Sequence, residues 1–273
     1  MKIIVPMAGR GSRFQAVADQ NPEYAKPKPL IDVQGQPMVS WALKSLPCID
    51  LPQRPAKTEL KVTMQEITFI VLQEHETKYQ ASNILREIFS SAIHIVIVPE
   101  VTRGAAETVL AAKEHINPED DLLITDSDHF FDGENLYKSI IEKSADVKGI
   151  IPVFKPPDNE VKWSYTLFDE EMNAIAVAEK DPILAAKGAY ANIGCYYFSK
   201  GKTFVQEAEA MITTNELSGV PGKAEFYIAP LYQRLLNKGM RIQAAIIPKM
   251  WGLGTPKDLN FFLQNYPFEK AID

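Results

Sequence analysis

Apolar and polar positions alternate along the chain in blocks rather than singly. Ile3-Ile4-Val5, Ile67-Thr68-Phe69-Ile70-Val71-Leu72, Ile93-His94-Ile95-Val96-Ile97-Val98 and Leu122-Leu123-Ile124-Thr125 are short, nearly continuous apolar runs. Such runs predict strands buried on both faces. Between them, residues 37–43 (Met38, Trp41 and Leu43 available for packing), 79–89 and 105–115 carry helical patterning. Strand and helix in alternation predict βαβ units and a largely parallel sheet covered on both sides, with ligands at the carboxyl ends of the strands. Residues 48–66, rich in proline and charge, read as an exposed excursion.

The second half is less regular. Strands are expected at 147–153, 165–168, 174–177, 193–198 and 242–247, and helices at 203–212 and 230–237. Gly239 serves as a stop signal for the second of these helices. A last helix begins at Thr255 (N-cap) and Pro256 (first helical position). No internal repeat or low-complexity tract is present. The fold class is α/β.

Length and composition fit that pattern. The chain has 273 residues, 46% of them hydrophobic and 23% charged, which is the profile of a globular protein with a substantial core. Cys48 and Cys195 lie far apart without metal-ligand spacing, so a reducing cytoplasmic setting is expected. No apolar run reaches the ~18 residues of a membrane span, and the amino end lacks a signal-peptide layout.

Charge changes the picture locally. Residues 1–30 hold Lys2, Arg10, Arg13, Lys26 and Lys28 against Asp19 and Glu23, a net of +3. The whole chain is −6, leaving −9 for the remainder. A basic segment in an acidic protein suggests a pocket for an anion more than a nucleic-acid surface, and an ordinary strand and turn with solvated lysines fits the same residues. Within that segment, Ala8-Gly9-Arg10-Gly11-Ser12-Arg13-Phe14 follows the first strand. Two glycines there let backbone N–H groups cradle phosphate oxygens. Lys26 and Lys28 each precede a proline, so an extended run is expected with both side chains on one face.

Asp126 and Asp128 follow the fourth strand. An extended backbone would turn both carboxylates the same way, an environment suited to Mg²⁺ alongside substrate phosphates. Turn or helix-cap roles fit the same spacing. His129 reads as a structural histidine, and no zinc pattern emerges. Glu179-Lys180-Asp181-Pro182 pairs an acceptor with a cation after a strand and suits a ligand with hydroxyls and a phosphate, though a plain charged turn has the same letters. Residues 220–227 fit either a loop over the site or an ordinary connection.

Taken together these pieces resemble one family. Ala8-Gly9-x-Gly11-Ser12-Arg13-Phe14, Pro27-Lys28-Pro29-Leu30 with Pro37-Met38, Gly104-Ala105-Ala106-Glu107, Ser127-Asp128-His129, Val177-Ala178-Glu179-Lys180, Asn192-Ile193-Gly194 and Trp251-x-x-Gly254-Thr255-Pro256 resemble, in order and spacing, the sugar-1-phosphate nucleotidylyltransferases. That group includes glucose-1-phosphate thymidylyl- and uridylyltransferases and mannose-1-phosphate guanylyltransferases. The resemblance implies a single three-layer α/β/α Rossmann-like domain over 1–273 with a mixed, mostly parallel sheet. Residues 1–130 would be its nucleotide half and 131–273 its sugar-phosphate half.

The resemblance also implies the partners and the site. A nucleoside triphosphate and a sugar 1-phosphate would bind, with Mg²⁺ as cofactor, no nucleic acid, no membrane, and homo-oligomerisation left open. Ala8, Gly9, Gly11 and Ser12 would cradle the nucleotide, with Arg13 at its outer phosphates and Lys28 at the reacting α-phosphate. Glu107 would read the base. Asp128 would hold the metal with Asp126 as helper. Glu179, Lys180, Asn192 and Gly194 would hold the sugar phosphate. One position departs from the pattern: Gly252 stands where many members carry a second metal-binding aspartate, and Asp126 is the expected substitute. The alternatives are a choline- or polyol-phosphate acceptor, or a binding homologue with little turnover. A nicotinamide-dinucleotide domain fits poorly, because Phe14 occupies the place of the third glycine.

Overall fold

The computed structural model describes residues 1–157 and 161–268. Its first half runs β1 (Lys2–Pro6), α1 (Ser12–Gln15), α2 (Met38–Lys44), β2 (Ile67–Leu72), α3 (Gln73–Tyr79), α4 (Ala81–Ile88), β3 (His94–Val98), α5 (Ala105–Leu110), β4 (Leu122–Thr125), β5 (His129–Phe131) and α6 (Glu134–Glu142). The second half adds β6 (Val147–Phe154), β7 (Ser164–Phe168), β8 (Ala174–Glu179), α7 (Pro182–Ala186), β9 (Tyr190–Asn192) and β10 (Cys195–Phe198). It continues through α8 (Gly201–Thr213), α9 (Ala229–Asn237), β11 (Arg241–Ile246), β12 (Met250–Gly252) and α10 (Pro256–Asn265).

Among the described residues, ten strands form one sheet in the order β3-β2-β1-β4-β10-β6-β9-β7-β8, with β11 paired to β6. The β3-β2-β1-β4 core is parallel, as its unbroken apolar runs require. Pairing turns antiparallel at β10 and stays so out to β8, while β11 lies parallel to β6. Successive residues of β1 and β2 feed opposite faces. Ile3, Val5, Phe69 and Val71 pack beneath Val39 and Leu43 of α2, Leu85 of α4 and Leu136 and Ile140 of α6. Ile4, Ile70 and Leu72 meet Val109 of α5, Phe204 and Met211 of α8 and Leu231 and Leu235 of α9. The result is the expected α/β/α arrangement.

A third cluster brings the two ends of the chain together. Phe14, Tyr24, Met38 and Trp41 pack against Trp251, Leu253, Leu259 and Phe262. Thr255 caps α10 by accepting the Asp258 amide (3.1 Å), with Pro256 at the first helical position, as its sequence predicts.

Four local expectations are corrected. Residues 48–66 are built into the core: Ile49, Leu51, Val62 and Met64 are buried, and Asp50 and Val62 amides bond to Val62 and Cys48 carbonyls. Arg54 donates from this segment to the carbonyls of Lys44 and Leu46 (2.9 and 2.8 Å), satisfying the end of α2. The helix expected over 79–89 is two helices meeting at Gln80, whose φ of 51° breaks the ladder. The strand expected over 193–198 begins only at Cys195, because Gly194 (φ 87°) separates it from β9, and there the chain changes partners from β6 and β7 to β4 and β6. Lys28 and Pro29 lie in a 3₁₀ turn, so Lys26 and Lys28 do not share a face.

Candidate active site

The carboxyl ends of β1 and β4 open into a cavity of ≈ 350 Å³. Its lining includes Ala8 and Gly9, Lys28, Thr102 and Gly104, Asp126 and Asp128, and Glu225 and Tyr227. Gly11 sits at φ 68°, ψ 31° before α1, and a Cβ there would stand 3.0 Å from the Lys28 Cβ. Glycine is therefore required twice over, by the left-handed backbone and by the lysine crossing behind the loop. Ser12 and Arg13 are exposed on the first turn of α1 while Phe14 anchors it in the core.

Lys28 is the cation that enters the cavity. Its Nζ lies 2.6 Å from Asp128 Oδ2, with both side chains about three-quarters buried. Lys26 turns away and pairs with Glu23 instead (2.6 Å). Burial works against the charge of Asp128, but the ammonium of Lys28 outweighs it and, with a smaller contribution from Arg13, holds the carboxyl below its usual range. Lys28 and Asp128 meet in the cavity, whereas Arg13 is exposed and is not among its lining residues.

Asp126 is fixed differently. Burial, then the charge of Asp128, pushes its pKa up to about 7, against the pull of Lys28. Two glycines make room for this pair: a Cβ at Gly194 would stand 2.4 Å from Asp126 Oδ2, and one at Gly254 would stand 2.4 Å from Asp128 Oδ2. Asp126 and Leu253 amides bond to the carbonyls of Gly194 and Asp128 (both 2.8 Å). Among the described residues no group of three or more His, Cys, Asp or Glu side chains could hold a metal ion. Asp126 and Asp128 nevertheless fit Mg²⁺, which takes one or two carboxylates and completes its shell with phosphate oxygens and water. His129 is buried against Thr125 (3.2 Å) with its pKa lowered to about 4 by burial, consistent with a structural role. At Gly252 the nearest carboxylate is that of Asp258, 3.6 Å from where a Cβ would be, and it bonds to the Thr255 hydroxyl (2.6 Å).

On the β8 side, Glu179 is the last residue of the strand and is nearly buried. It accepts from the Ser164 hydroxyl, and burial raises its pKa. Lys180 follows with φ 50° and lies 3.4 Å from Glu179 and 2.8 Å from the Tyr227 hydroxyl. Burial disfavours its charge, but those two partners more than compensate and raise its pKa. Asp181 is an N-cap, accepting from Ile183 and Leu184 amides of α7. Asn192 is buried with Oδ1 fixed by the Thr166 hydroxyl (2.7 Å), leaving Nδ2 without a protein partner.

Glu107 does not stand free to read a base. Its carboxylate accepts from Arg103 three times: the backbone amide (2.6 Å), Nε (3.0 Å) and Nη2 (2.5 Å). Glu225 and Tyr227 line the cavity from within 220–227, a stretch whose sequence fits a covering loop and an ordinary connection alike.

A family model for nucleotidyl transferases matches residues 4–259. The chain belongs to the nucleotidyl transferase family. Solved structures with the same fold include a nucleoside-diphosphate-sugar pyrophosphorylase from Vibrio cholerae RC9 (22% identical, TM-score 0.73, covering 96% of this chain and 100% of that one). A putative glucose-1-phosphate thymidylyltransferase from Bacillus anthracis is 17% identical (TM-score 0.70, 97% and 94%), and the inositol-1-phosphate CTP transferase of T. maritima 14% (TM-score 0.67, 97% and 96%). No curated protein sequence matches the chain as a relative. As a family member the protein is an enzyme of nucleotidyl transfer. Among the described residues no helix is long and apolar enough to cross a membrane.

Proposed function

We propose that this nucleotidyl transferase moves a nucleoside monophosphate from a nucleoside triphosphate to a sugar 1-phosphate, releasing pyrophosphate. The observation that carries the reading is the Lys28–Asp128 contact at the mouth of the parallel sheet, beside a glycine loop and within charge range of Arg13. The acceptor is already an anion, so the reaction needs little general-base help. The site's task is to hold two anions together and to stabilise the transferred group.

In this account residues 1–130 bind the nucleotide and residues 131–273 the acceptor. The backbone of Ala8, Gly9, Gly11 and Ser12 receives the triphosphate, Arg13 meets the outer phosphates, and Lys28 leaves Asp128 for the α-phosphate. Asp128, assisted by Asp126, would hold Mg²⁺, which when bound would neutralise phosphate charge. Freed of Lys28, the Asp128 carboxylate is available as a ligand. Lys180 holds the acceptor's phosphate, while Glu179, Asn192 and the turn at Gly194 address its hydroxyls. The unpartnered Asn192 Nδ2 offers a donor to an acceptor hydroxyl.

A pyrophosphate-release screen of four nucleoside triphosphates against sugar 1-phosphates, inositol phosphate and phosphocholine, with and without Mg²⁺, tests the assignment. A Mg²⁺-dependent sugar 1-phosphate signal is expected. Turnover confined to a polyol or choline phosphate would move the protein to that acceptor class, and no turnover with any pair would refute the reading.

A further inference from the structure

Arg103 and Glu107 stand at the start of α5 and belong to neither phosphate group described above. All the same, they are tied to a segment of the second half. The backbone of Phe226 crosses directly over Gly104: its amide donates to the Arg103 carbonyl (3.0 Å), and its carbonyl accepts from the Ala106 amide (2.9 Å). A Cβ at Gly104 would stand 2.5 Å from the Phe226 nitrogen and 2.6 Å from its oxygen, so the crossing exists only because that residue is glycine. Above it, the Arg103 guanidinium covers the Phe226 ring at 4.9 Å and is held there by the Glu107 carboxylate.

The residues on either side of Phe226 face the cavity. Glu225 and Tyr227 both line it. The Tyr227 hydroxyl accepts from Lys180 Nζ at 2.8 Å, and its ring lies 4.6 Å from the same ammonium. Beyond Glu225 the strap is lightly anchored. It folds back through a single bridge between Ser218 and Glu225, with left-handed glycines at 219 and 222.

We propose that Arg103 is a positioning residue. The Arg103–Glu107 pair clamps Phe226, and through Tyr227 that clamp sets where the Lys180 ammonium meets the acceptor's phosphate. Glu107 therefore acts through Arg103 and not by contact with the base. A carboxylate that accepts three N–H donors from one residue is a stiff support, and a cation over an aromatic face adds hold without a covalent tie. Misplacing a charge by a fraction of an ångström is costly where two anions must be aligned. The role of Lys180 in this argument rests on the function proposed above.

The test uses the full chain with Arg103→Ala and Glu107→Gln. Arg103 is largely exposed, so its loss leaves the core intact. Backbone hydrogen exchange without ligands reads the strap directly: faster exchange over 218–227 is expected in Arg103→Ala. Steady-state pyrophosphate release is then measured with glucose 1-phosphate and phosphocholine as acceptor probes and with each of the four Mg²⁺–nucleoside triphosphates. The acceptor KM should rise about tenfold in both variants, while the order of preference among the four triphosphates stays as in the parent. Unchanged exchange overturns the clamp, as does an altered nucleotide order with an unchanged acceptor KM. Faster exchange with a parental acceptor KM also overturns the proposal, while leaving the functional reading in place. A parent protein that turns over no pair overturns the functional reading and the role of Lys180 with it, whatever the exchange data show.

Discussion

Replacing Lys28 by methionine removes the ammonium and keeps most of the side chain's length. Lys28 and Asp128 are 25% and 23% exposed, so the 2.6 Å contact is neither a surface pair nor a fully buried one. Its loss should cost the resting protein only about 1–2 kcal/mol, because water still reaches the carboxylate left behind. The loss in the reaction is larger, since no other described cation is seated at Asp128. Removing one preorganised group that meets developing charge typically costs about 2.7–4 kcal/mol, a fall of ~10²–10³ in kcat. The same substitution at Lys26, which is committed to Glu23 on the surface, should change kcat less than about threefold. Steady-state pyrophosphate release on both variants, with thermal unfolding as a control for folding, reads the contrast. A Lys28→Met enzyme with parental kcat and an intact fold would refute the reasoning, and so would a larger loss at Lys26.

Three further outcomes follow from the packing. Gly104→Ala places a methyl 2.5 Å from the Phe226 backbone, at a φ of 150° that side chains avoid, and should lower stability by ~2–3 kcal/mol in denaturant titration. Arg54→Ala strips the Lys44 and Leu46 carbonyls of their donors and should cost ~1–3 kcal/mol by the same assay, even though the segment looks like a surface loop in the sequence. His75 is buried and burial lowers its pKa, so the unfolded chain takes up a proton near pH 6.5 that the folded chain resists. Its contribution is present above pH 6.5 and declines as the pH falls below it. Stability measured from pH 7.5 to 5 should therefore fall less steeply in His75→Phe than in the parent.

Much of the fold is legible in the letters, because buried parallel strands announce themselves as apolar runs and Gly11 and Thr255 signal their turns chemically. Two residues singled out by their motifs come together: Lys28 meets Asp128 across a hundred residues of sequence. What the letters conceal is context. Residues 48–66 carry few buried positions, spread among prolines and charges, so Ile49, Leu51 and Val62 do not announce a core segment. The polar heptapeptide of α3 has no apolar stripe and buries only His75. Lys26 and Lys28 share a motif, but a 3₁₀ turn separates their directions, which proline spacing alone does not reveal. Glu107 occupies a base-reading position by resemblance, yet Arg103 four residues earlier consumes its carboxylate. The Asp126 environment depends on Gly194, nearly seventy residues away, and on the strand break there.

The central claim is that this cavity joins a nucleotide's α-phosphorus to an acceptor's phosphate oxygen. It is tested most directly by following a labelled α-phosphate. With α-³²P nucleoside triphosphate, Mg²⁺ and the acceptor selected by the screen, the account predicts that all consumed label appears in a nucleoside diphosphate ester of the acceptor. One unlabelled pyrophosphate should be released for each transfer. Label recovered as free nucleoside monophosphate in place of that ester, or retained in the triphosphate, would contradict it.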